Sequence, residues 1–181
     1  MTMKIKILLS LLIISISCCQ NDSEKEYMCV LYMPGFIDTS VPISCRDMYN
    51  DWNTSSVEID TSWIDFESFA RLKTFMTNYS QINSEIECDS RLMIKLDTIC
   101  LSLNQDTCIC NLEGNILKSD MEIVYLIKWK SGYYNYFELD DLKTLPEIKL
   151  FGIPDDYKYK VSRLGKPKKQ IIRKILYPRD K

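Results

Sequence analysis

The sequence predicts a two-layer α+β domain, in which an antiparallel β-meander carries one amphipathic helix on one face. A segment before residue 80 repeats its apolar residues at intervals of three and four, which is typical of a helix. From residue 91 onward, short runs alternate apolar and polar residues, which is typical of strands. Short turns separate these runs, so neighbouring strands are predicted to pair antiparallel.

The first predicted strand covers residues 27–33, a run rich in strand-forming residues that ends at the turn signal Pro34-Gly35. Residues 41–45 are a second, shorter candidate strand. Residues 50–60 are mostly polar, and we predict irregular structure for them.

The predicted helix covers residues 62–79. Ser62 is a candidate N-cap, and Asp65, three residues later, resembles the acidic member of a capping box. The apolar stripe of this helix is expected to pack in the core, and it consists of Phe66, Phe69, Leu72, Met76 and Tyr79.

The second half of the chain is predicted to form six short strands. Glu113-Gly114 and Lys130-Ser131-Gly132 are predicted hairpin turns, because glycine adopts the positive φ angles that tight turns need. The six candidate strands are residues 91–96, 99–103, 107–112, 115–118, 122–129 and 133–138.

The composition excludes several classes of function. The chain has 181 residues and no His, which excludes Ser-His-Asp hydrolysis, Cys-His proteolysis and zinc sites with His ligands. It has five Gly and neither a G-x-G-x-x-G nor a P-loop pattern, so we predict no phosphate-binding loop. We therefore expect a protein without a cofactor that is not an enzyme.

The first residues have the features of a secretory signal. Lys4 and Lys6 precede an apolar run at residues 7–16. As a helix this run would rise about 15 Å, half of the roughly 30 Å needed to cross a bilayer. A positive start and a short apolar run are typical of a signal peptide that is removed after export, and we assign residues 1–17 to it.

Residues 14–18 (ISISC) resemble the lipobox of bacterial lipoproteins, in which a small residue precedes the cysteine that receives lipid. The resemblance implies that Cys18 carries acyl chains such as palmitate, with Cys19 as an alternative acceptor. It also implies attachment to the bacterial outer membrane or the cell surface, since acyl chains contribute about 0.8 kcal/mol per buried CH₂. Residues 18–26 then form a polar tether.

The mature chain is predicted to hold an α+β domain at residues 27–153 and a basic tail at residues 154–181. Residues 157–181 contain ten Lys and Arg against one Asp, whereas residues 19–156 contain 11 basic and 24 acidic residues. We expect the tail to lie in solvent or to dock on the acidic domain. Attraction to anionic lipid or to a cell-surface polymer is the alternative. Because the chain is exported, we expect no nucleic-acid partner.

Six cysteines follow the lipobox. An exported chain meets an oxidising compartment, where an even number of cysteines predicts disulfides. Six cysteines allow 15 pairings, among which the sequence does not choose. Free buried thiols are one alternative. A redox or metal site is the other, but the spacing of Cys108 and Cys110 is not the CxxC of zinc ribbons and thioredoxin-like enzymes, and we predict no metal site. The six are Cys29, Cys45, Cys88, Cys100, Cys108 and Cys110.

Aromatic residues crowd the last predicted hairpin. Alternation places Tyr134 and Tyr136 on one face of it, and aromatic residues on both faces exceed what a single core needs. Trp129, Tyr134 and Tyr136 are therefore candidate binding residues for a protein or a glycan.

Three groups of carboxylates complete the candidates. Acidic residues near turns are common without catalysis, because Asp favours caps and turns. We expect no catalytic role for them, with a hard-cation site at the first group as the alternative. The groups are Glu85/Glu87/Asp89, Asp140/Asp141 and Asp155/Asp156.

Together these features predict a lipid-anchored envelope protein that binds a protein or a polysaccharide without catalysis. The alternative function is thiol–disulfide exchange through Cys108 and Cys110. A third interpretation is a secreted eukaryotic protein, because Asn53 and Asn78 begin formal glycosylation sequons.

Overall fold

A computed structural model describes residues 26–34, 41–51, 57–83, 87–160 and 171–179. The signal peptide, Cys18 and Cys19 lie outside the described residues. The described strands are β1 (Met28–Tyr32), β2 (Val57–Asp65), β3 (Leu92–Leu96), β4 (Ile99–Leu103), β5 (Ile109–Asn111), β6 (Ile116–Leu117) and β7 (Ile171–Arg179). The described helices are α1 (Cys45–Asp51), α2 (Phe66–Thr77), α3 (Met121–Ser131), a 3-10 helix (Tyr133–Tyr136), α4 (Leu139–Leu142) and α5 (Pro146–Phe151).

The strands form one sheet of seven in the order β2-β7-β1-β3-β4-β5-β6. Strands β3 to β6 follow one another as an antiparallel meander, as predicted. Strand β1 pairs antiparallel with both β3 and β7, while β2 and β7 run parallel. The α+β class predicted from the sequence is confirmed.

The predicted basic tail contributes a strand to the interior of this sheet. Strand β7 lies between β1 and β2, with Ile172 opposite Tyr32 and Ile171 opposite Val57. The prediction of a tail that lies in solvent or docks on the domain is therefore wrong for residues 171–179. Buried Ile171, Ile172 and Leu176 provide the physical reason, since they pack into the cores on both faces of the sheet.

The last predicted hairpin is a helix. The Asp120 side chain accepts a hydrogen bond from the backbone N–H of Glu122 at 2.9 Å, which caps the start of α3. Gly132 ends the helix with φ of 76°, the left-handed conformation that glycine adopts at helix ends. Because buried apolar residues lie on several sides of α3, its sequence lacks the apolar spacing of three and four residues that predicts an amphipathic helix. They are Ile123, Val124, Leu126 and Ile127.

Helix α2 begins later than predicted. Asp65 is its N-cap and accepts a hydrogen bond from the Ser68 backbone N–H at 2.8 Å, whereas Ser62 lies inside β2. This strand includes residues 57–60, which were predicted to be irregular, and residues 62–65, which were predicted to begin the helix. Phe69, Leu72 and Met76 of the predicted stripe pack in the core as expected, whereas Phe66, the first residue of α2, is 60% exposed and the prediction is wrong for it.

Residues 41–45, a candidate strand, lead into helix α1 instead. Ser44 and Asp47 form a reciprocal cap, in which the Asp47 N–H donates to the Ser44 hydroxyl at 3.1 Å and the Ser44 N–H donates to the Asp47 carboxylate at 3.2 Å.

Helices cover both faces of the sheet, so the two-layer prediction with one helix is wrong. The inner face packs against α2 to α5 and holds the larger core, with Val30, Ile94 and Leu101 at its centre. The outer face packs against α1 over β3 to β6 and forms a second core. No helix in the described part of the chain is both long and apolar enough to cross a bilayer.

Candidate functional site

On the outer face of the sheet, part of the surface over β2, β7 and β1 is exposed, although Leu31 on β1 and Ile171 on β7 are buried in the outer core. Residues that alternate along a strand share a face, and four large residues come together here. Trp63 is 58% exposed, Ile59 63% and Tyr27 51%, while Tyr177 is partly buried between the other aromatic rings. We call Tyr27, Ile59, Trp63 and Tyr177 the aromatic surface.

The three rings of the aromatic surface form a row across three neighbouring strands. The centroid of the Tyr177 ring lies 5.7 Å from that of Trp63 and 5.8 Å from that of Tyr27. The ring planes are tilted by 47° and 52°, which are common angles for packed aromatic pairs. The row therefore has an uneven, ridged surface.

Strand β2 is the edge of the sheet beside this row. Among the described residues it pairs on one side only, with β7, over nine residues. An edge strand of this length leaves a row of backbone N–H and C=O groups available for another strand, especially where its exposed side chains are apolar, as Ile59 and Trp63 are.

Ion pairs on the inner side hold this edge in place. Lys174 on β7 contacts Asp60 at 2.8 Å, and Lys130 on α3 contacts Asp65 at 3.1 Å. The hydrogen bond from Lys174 lowers the pKa of Asp60. Burial raises the pKa of Asp65, but hydrogen bonds from Ser68 and Lys130 outweigh it and hold the pKa at about 2.

The covered half of the outer face is rich in sulfur. Cys45 begins α1, Cys88 lies in the segment before β3, and Cys100 and Cys110 lie on β4 and β5. Met48 and Met93 pack in the same core, and Cys108 packs against it. All six described cysteines are free thiols in the structure.

Four of these cysteines, Cys45, Cys88, Cys108 and Cys110, lie in this core or pack against it, and we call them the sulfur row. The Cys88 thiol donates to the Cys108 carbonyl at 3.5 Å. Cys110 on β5 is buried in this core, and Cys108, the residue before β5, packs against it.

Hydrogen bonds shift the pKa values of three thiols in the sulfur row. Bonds from Cys45 and Cys88 lower the pKa of Cys110, and the Ser102 hydroxyl, 3.0 Å from its sulfur, adds to the effect. The same bonds and burial raise the pKa of Cys45 and of Cys88. Cys110 is thus the sulfur that loses its proton most readily.

The described ranges contain no group of three or more Cys, Asp or Glu side chains that could hold a metal ion. Cys29 lies on β1 apart from the sulfur row. Burial raises its pKa to about 11, although the nearby Arg173 and Lys95 oppose the shift.

The predicted binding aromatics lie on the inner side, in and after α3. Tyr134 is 1% exposed and its hydroxyl donates to Glu147 at 3.2 Å, so the prediction of an exposed ring is wrong for this residue. Trp129 is partly buried and its indole N–H donates to Asp156 at 2.6 Å. Tyr136 is partly buried with its ring 5.9 Å from that of Tyr32. These residues serve packing, because a helix and a 3-10 turn replace the hairpin.

The structure contains a buried ion pair that the sequence patterns did not predict. Lys128 and Glu147 are fully buried, with 2.7 Å between Nζ and Oε1, and Lys128 also donates to the Asp106 carbonyl at 2.7 Å. Burial lowers the pKa of Lys128. The pair joins α3, α5 and the turn between β4 and β5. The one feature of the sequence that indicated this ion pair is the position of Lys128 within an apolar segment.

The predicted carboxylate groups do not converge on one site. Asp89 accepts a hydrogen bond from the Ile43 backbone N–H at 2.9 Å and pairs with Arg91, while Glu87 is exposed and Glu85 lies outside the described residues. The other two groups are exposed, Asp140/Asp141 at the start of α4 and Asp155/Asp156 after α5.

Asn53 lies outside the described residues, and Asn78 is the C-cap of α2. Comparison with protein-family models, curated proteins and solved structures finds no match to this chain.

Proposed function

We propose that this chain is a lipid-anchored protein of the bacterial envelope that binds a protein partner through its aromatic surface, without catalysis. The observation that supports binding is the exposed row of Trp63, Tyr177 and Tyr27 beside Ile59. Trp and Tyr are enriched among the residues that dominate protein–protein binding energy. The lipobox resemblance at Cys18 supports the anchor.

The shape of the surface favours a protein over a glycan. Sugar rings stack best on flat aromatic platforms, whereas the rings of this row are tilted by 47° and 52°. Ile59 offers an aliphatic side chain that cannot hydrogen-bond to hydroxyl groups. Tilted rings with an aliphatic neighbour instead form the clefts into which protein side chains insert.

The edge of β2 adds a second means of recognition. An extended peptide that pairs with an exposed edge gains main-chain hydrogen bonds, and side-chain contacts on one face supply specificity. Ile59 and Trp63 alternate on β2 with one intervening residue of their face, Thr61, so a bound strand would lie alongside all three. We therefore expect the partner to present an extended segment.

Photocrosslinking in the exporting bacterium tests this proposal. The photoreactive residue p-benzoylphenylalanine replaces Trp63, and in a matched control it replaces Phe151, which is exposed at the end of α5. We expect a discrete protein adduct from position 63 and none from position 151. Tyr177→Ala, which removes the neighbouring ring, should weaken the adduct at least several-fold.

The form of the adduct decides between partners. A protease-sensitive band supports the proposal, whereas a protease-resistant smear identifies a glycan partner and overturns it. Equal labelling from positions 63 and 151, or no labelling from position 63, also overturns it. Membrane extraction of Cys18→Ser and Cys19→Ser variants tests the anchor separately, since loss of the acceptor should release the chain from the membrane.

Thiol–disulfide exchange with another protein is the second candidate. The lowered pKa of Cys110 favours it, because the thiolate is the attacking form. Burial opposes it, since Cys110 is 2% exposed and only Cys108 among the described cysteines is partly exposed. Reduction of insulin by the full-length protein, lost in Cys108→Ser and kept in Cys29→Ser, would support exchange. Inactivity of the unaltered protein would exclude it for this substrate.

A further inference from the structure

We propose that the partner of the aromatic surface is a second copy of this chain, bound by antiparallel pairing of strand β2 in one copy with strand β2 in the other. This inference rests on the proposed function, because it names the partner that the edge of β2 and the neighbouring rings bind. A two-fold axis perpendicular to the sheet relates such copies, so the two sheets become one and both aromatic surfaces lie on the same face of it.

The two edges of the sheet differ in what is open for pairing. At the β6 edge, the backbone N–H of Ile82 donates to the Ile116 carbonyl at 2.9 Å, and the N–H of Lys118 donates to the Ser80 carbonyl at 2.8 Å. Within the described ranges, β2 pairs with β7 alone, over nine residues. A sheet that extends only at β2 closes at two copies, since a two-fold contact uses the same edge of both.

Strand β2 lacks the features that commonly keep edge strands apart. Lysine, proline and β-bulges at an edge hinder pairing with another chain. Residues 57–65 (VEIDTSWID) contain no Lys, Arg, Pro or Gly, and their register with β7 is continuous from Val57 to Asp65. The carboxylate of Asp60 already pairs with Lys174 at 2.8 Å. Strand β2 therefore presents a regular edge to another strand.

The sequence of β2 is complementary to itself about its midpoint, Thr61. Antiparallel pairing centred there uses the whole strand, which extends four residues to each side of Thr61. Ile59 of each copy then lies opposite Trp63 of the other on the outer face, and the two Thr61 residues lie opposite each other. Pairs of an aromatic with a β-branched residue and pairs of threonines stabilise antiparallel strands. All three side chains are exposed and available for these contacts.

Charge favours the same register. On the inner face it sets Asp60 opposite Ser62, whose hydroxyl can donate a hydrogen bond to the carboxylate. A register centred on Asp60 would set two carboxylates opposite each other, and like charges in that position are destabilising. A register centred on Ser62 would set Ile59 opposite Asp65, an apolar residue against a charge. We therefore expect the pairing centred on Thr61.

Photocrosslinking between two tagged copies tests the identity of the partner. Two full-length genes with different epitope tags are expressed together in the exporting bacterium, and p-benzoylphenylalanine replaces Trp63 in one of them. We expect an adduct that carries both tags and has twice the mass of the chain, and none when the photoreactive residue replaces Phe151. An adduct with a protein of another mass overturns the second copy as partner but supports the proposed function. Absence of any protein adduct from position 63 overturns both.

Charges at the midpoint of β2 test the register, because Thr61 is the residue that meets its own counterpart. Thr61→Lys in both copies, or Thr61→Glu in both, sets like charges against each other and should lower the adduct with both tags by about tenfold or more. Thr61→Lys in one copy with Thr61→Glu in the other should restore the adduct to within about twofold of its original level. Thr74→Lys, at an exposed threonine of α2, is the matched control and should leave the adduct unchanged.

The mixed pair separates recognition from folding. Recovery of the adduct requires that both altered chains fold and that the two positions 61 meet, so it supports the pairing centred on Thr61. An adduct that stays unchanged in the like-charged pairs, or that stays low in the mixed pair, overturns this pairing.

Discussion

Side chains alternate between the two faces of the sheet in the same way along all its strands, yet one half of the outer face is covered and the other half is largely exposed. Over β3 to β6 the side chains are small or flexible, mostly Cys, Ser and Met, and helix α1 covers them. Over β2, β7 and β1 they include large aromatic rings that remain exposed. On this sheet face the side chains under helix α1 are buried, and large size alone does not bury Ile59 and Trp63 where they lie on β2. The covered half should therefore contribute stability, and the open half should contribute binding.

The largest expected effect comes from the covered half. Met93 is fully buried on β3 in the outer core. Met93→Ala should lower the free energy of unfolding by roughly 2–5 kcal/mol, because it removes buried area and leaves a cavity. Urea denaturation followed by circular dichroism measures the change. A loss below about 1 kcal/mol would show that the second core is loosely packed. It would contradict the expectation that the covered half contributes more stability than the open half.

Ser102→Ala should have an intermediate effect in the same half. The Ser102 hydroxyl lies 2.7 Å from that of Ser90 and 3.0 Å from the Cys110 sulfur, and both serines are fully buried. Loss of one partner leaves a buried polar group unsatisfied, which costs about 1–3 kcal/mol. Ser102→Cys, which keeps a weak donor, should recover part of the loss in the same urea measurement. Equal stability of Ser102→Ala and the unaltered protein would contradict the hydrogen-bond network.

Trp63→Ala should have a smaller effect on stability than either change in the covered half. The ring is mostly exposed, so the loss should come from its packing on Tyr177 and amount to about 0.5–1.5 kcal/mol. Binding to the partner should fall far more than stability does. Thermal unfolding and photocrosslinking through position 59, on the same variant, compare the two effects. A stability loss as large as that of Met93→Ala would place Trp63 in the core and contradict the open half.

The smallest expected effect concerns the charge at the end of β2. Asp65→Asn keeps a capping oxygen but removes the ion pair with Lys130, and such partly exposed pairs contribute up to about 1 kcal/mol. The pKa of Asp65 is about 2 in the folded protein, below its usual value of about 3.9. Its contribution is therefore present above pH 4 and is lost as the pH falls towards 2.

Urea denaturation of Asp65→Asn and of the unaltered protein between pH 2 and pH 7 checks this dependence. The difference between the two proteins should shrink to near zero at the acid end. A difference that stays constant across the range would show that the carboxylate charge plays no part.

The sequence predicted those elements whose period is visible over a short span. The apolar stripe of α2 was recognised because one side of the helix is buried and the other is exposed. The strands β3 and β4 were recognised because polar residues interrupt their apolar runs at regular positions. Helix α3 was missed because burial on several sides removed its polar face, although Asp120 and Gly132 marked its ends. Strand β7 was missed because its basic residues, including Lys174, suggested solvent, whereas Lys174 pairs with Asp60.

The candidate sites required long-range contacts that no local pattern contains. Trp63 and Tyr177 are register partners on β2 and β7 although 114 residues separate them in the chain. The aromatic surface was therefore unpredictable from spacing, and the crowded aromatics near Tyr134 suggested a site that burial removes. The six cysteines were recognised as a set, but which of them meet in the outer core depends on the segments that α1 and β5 bring together.

The position of β7 has a consequence for how the chain acquires its shape. The four strands β3 to β6 are neighbours in sequence and can pair as soon as they are made, whereas β1 and β2 are not paired with each other and are joined through β7. Completing the sheet must wait for a strand made more than a hundred residues after β2, and such distant pairing is slow. For the export that we propose, this delay would keep the sheet unfinished until most of the chain has passed through the channel.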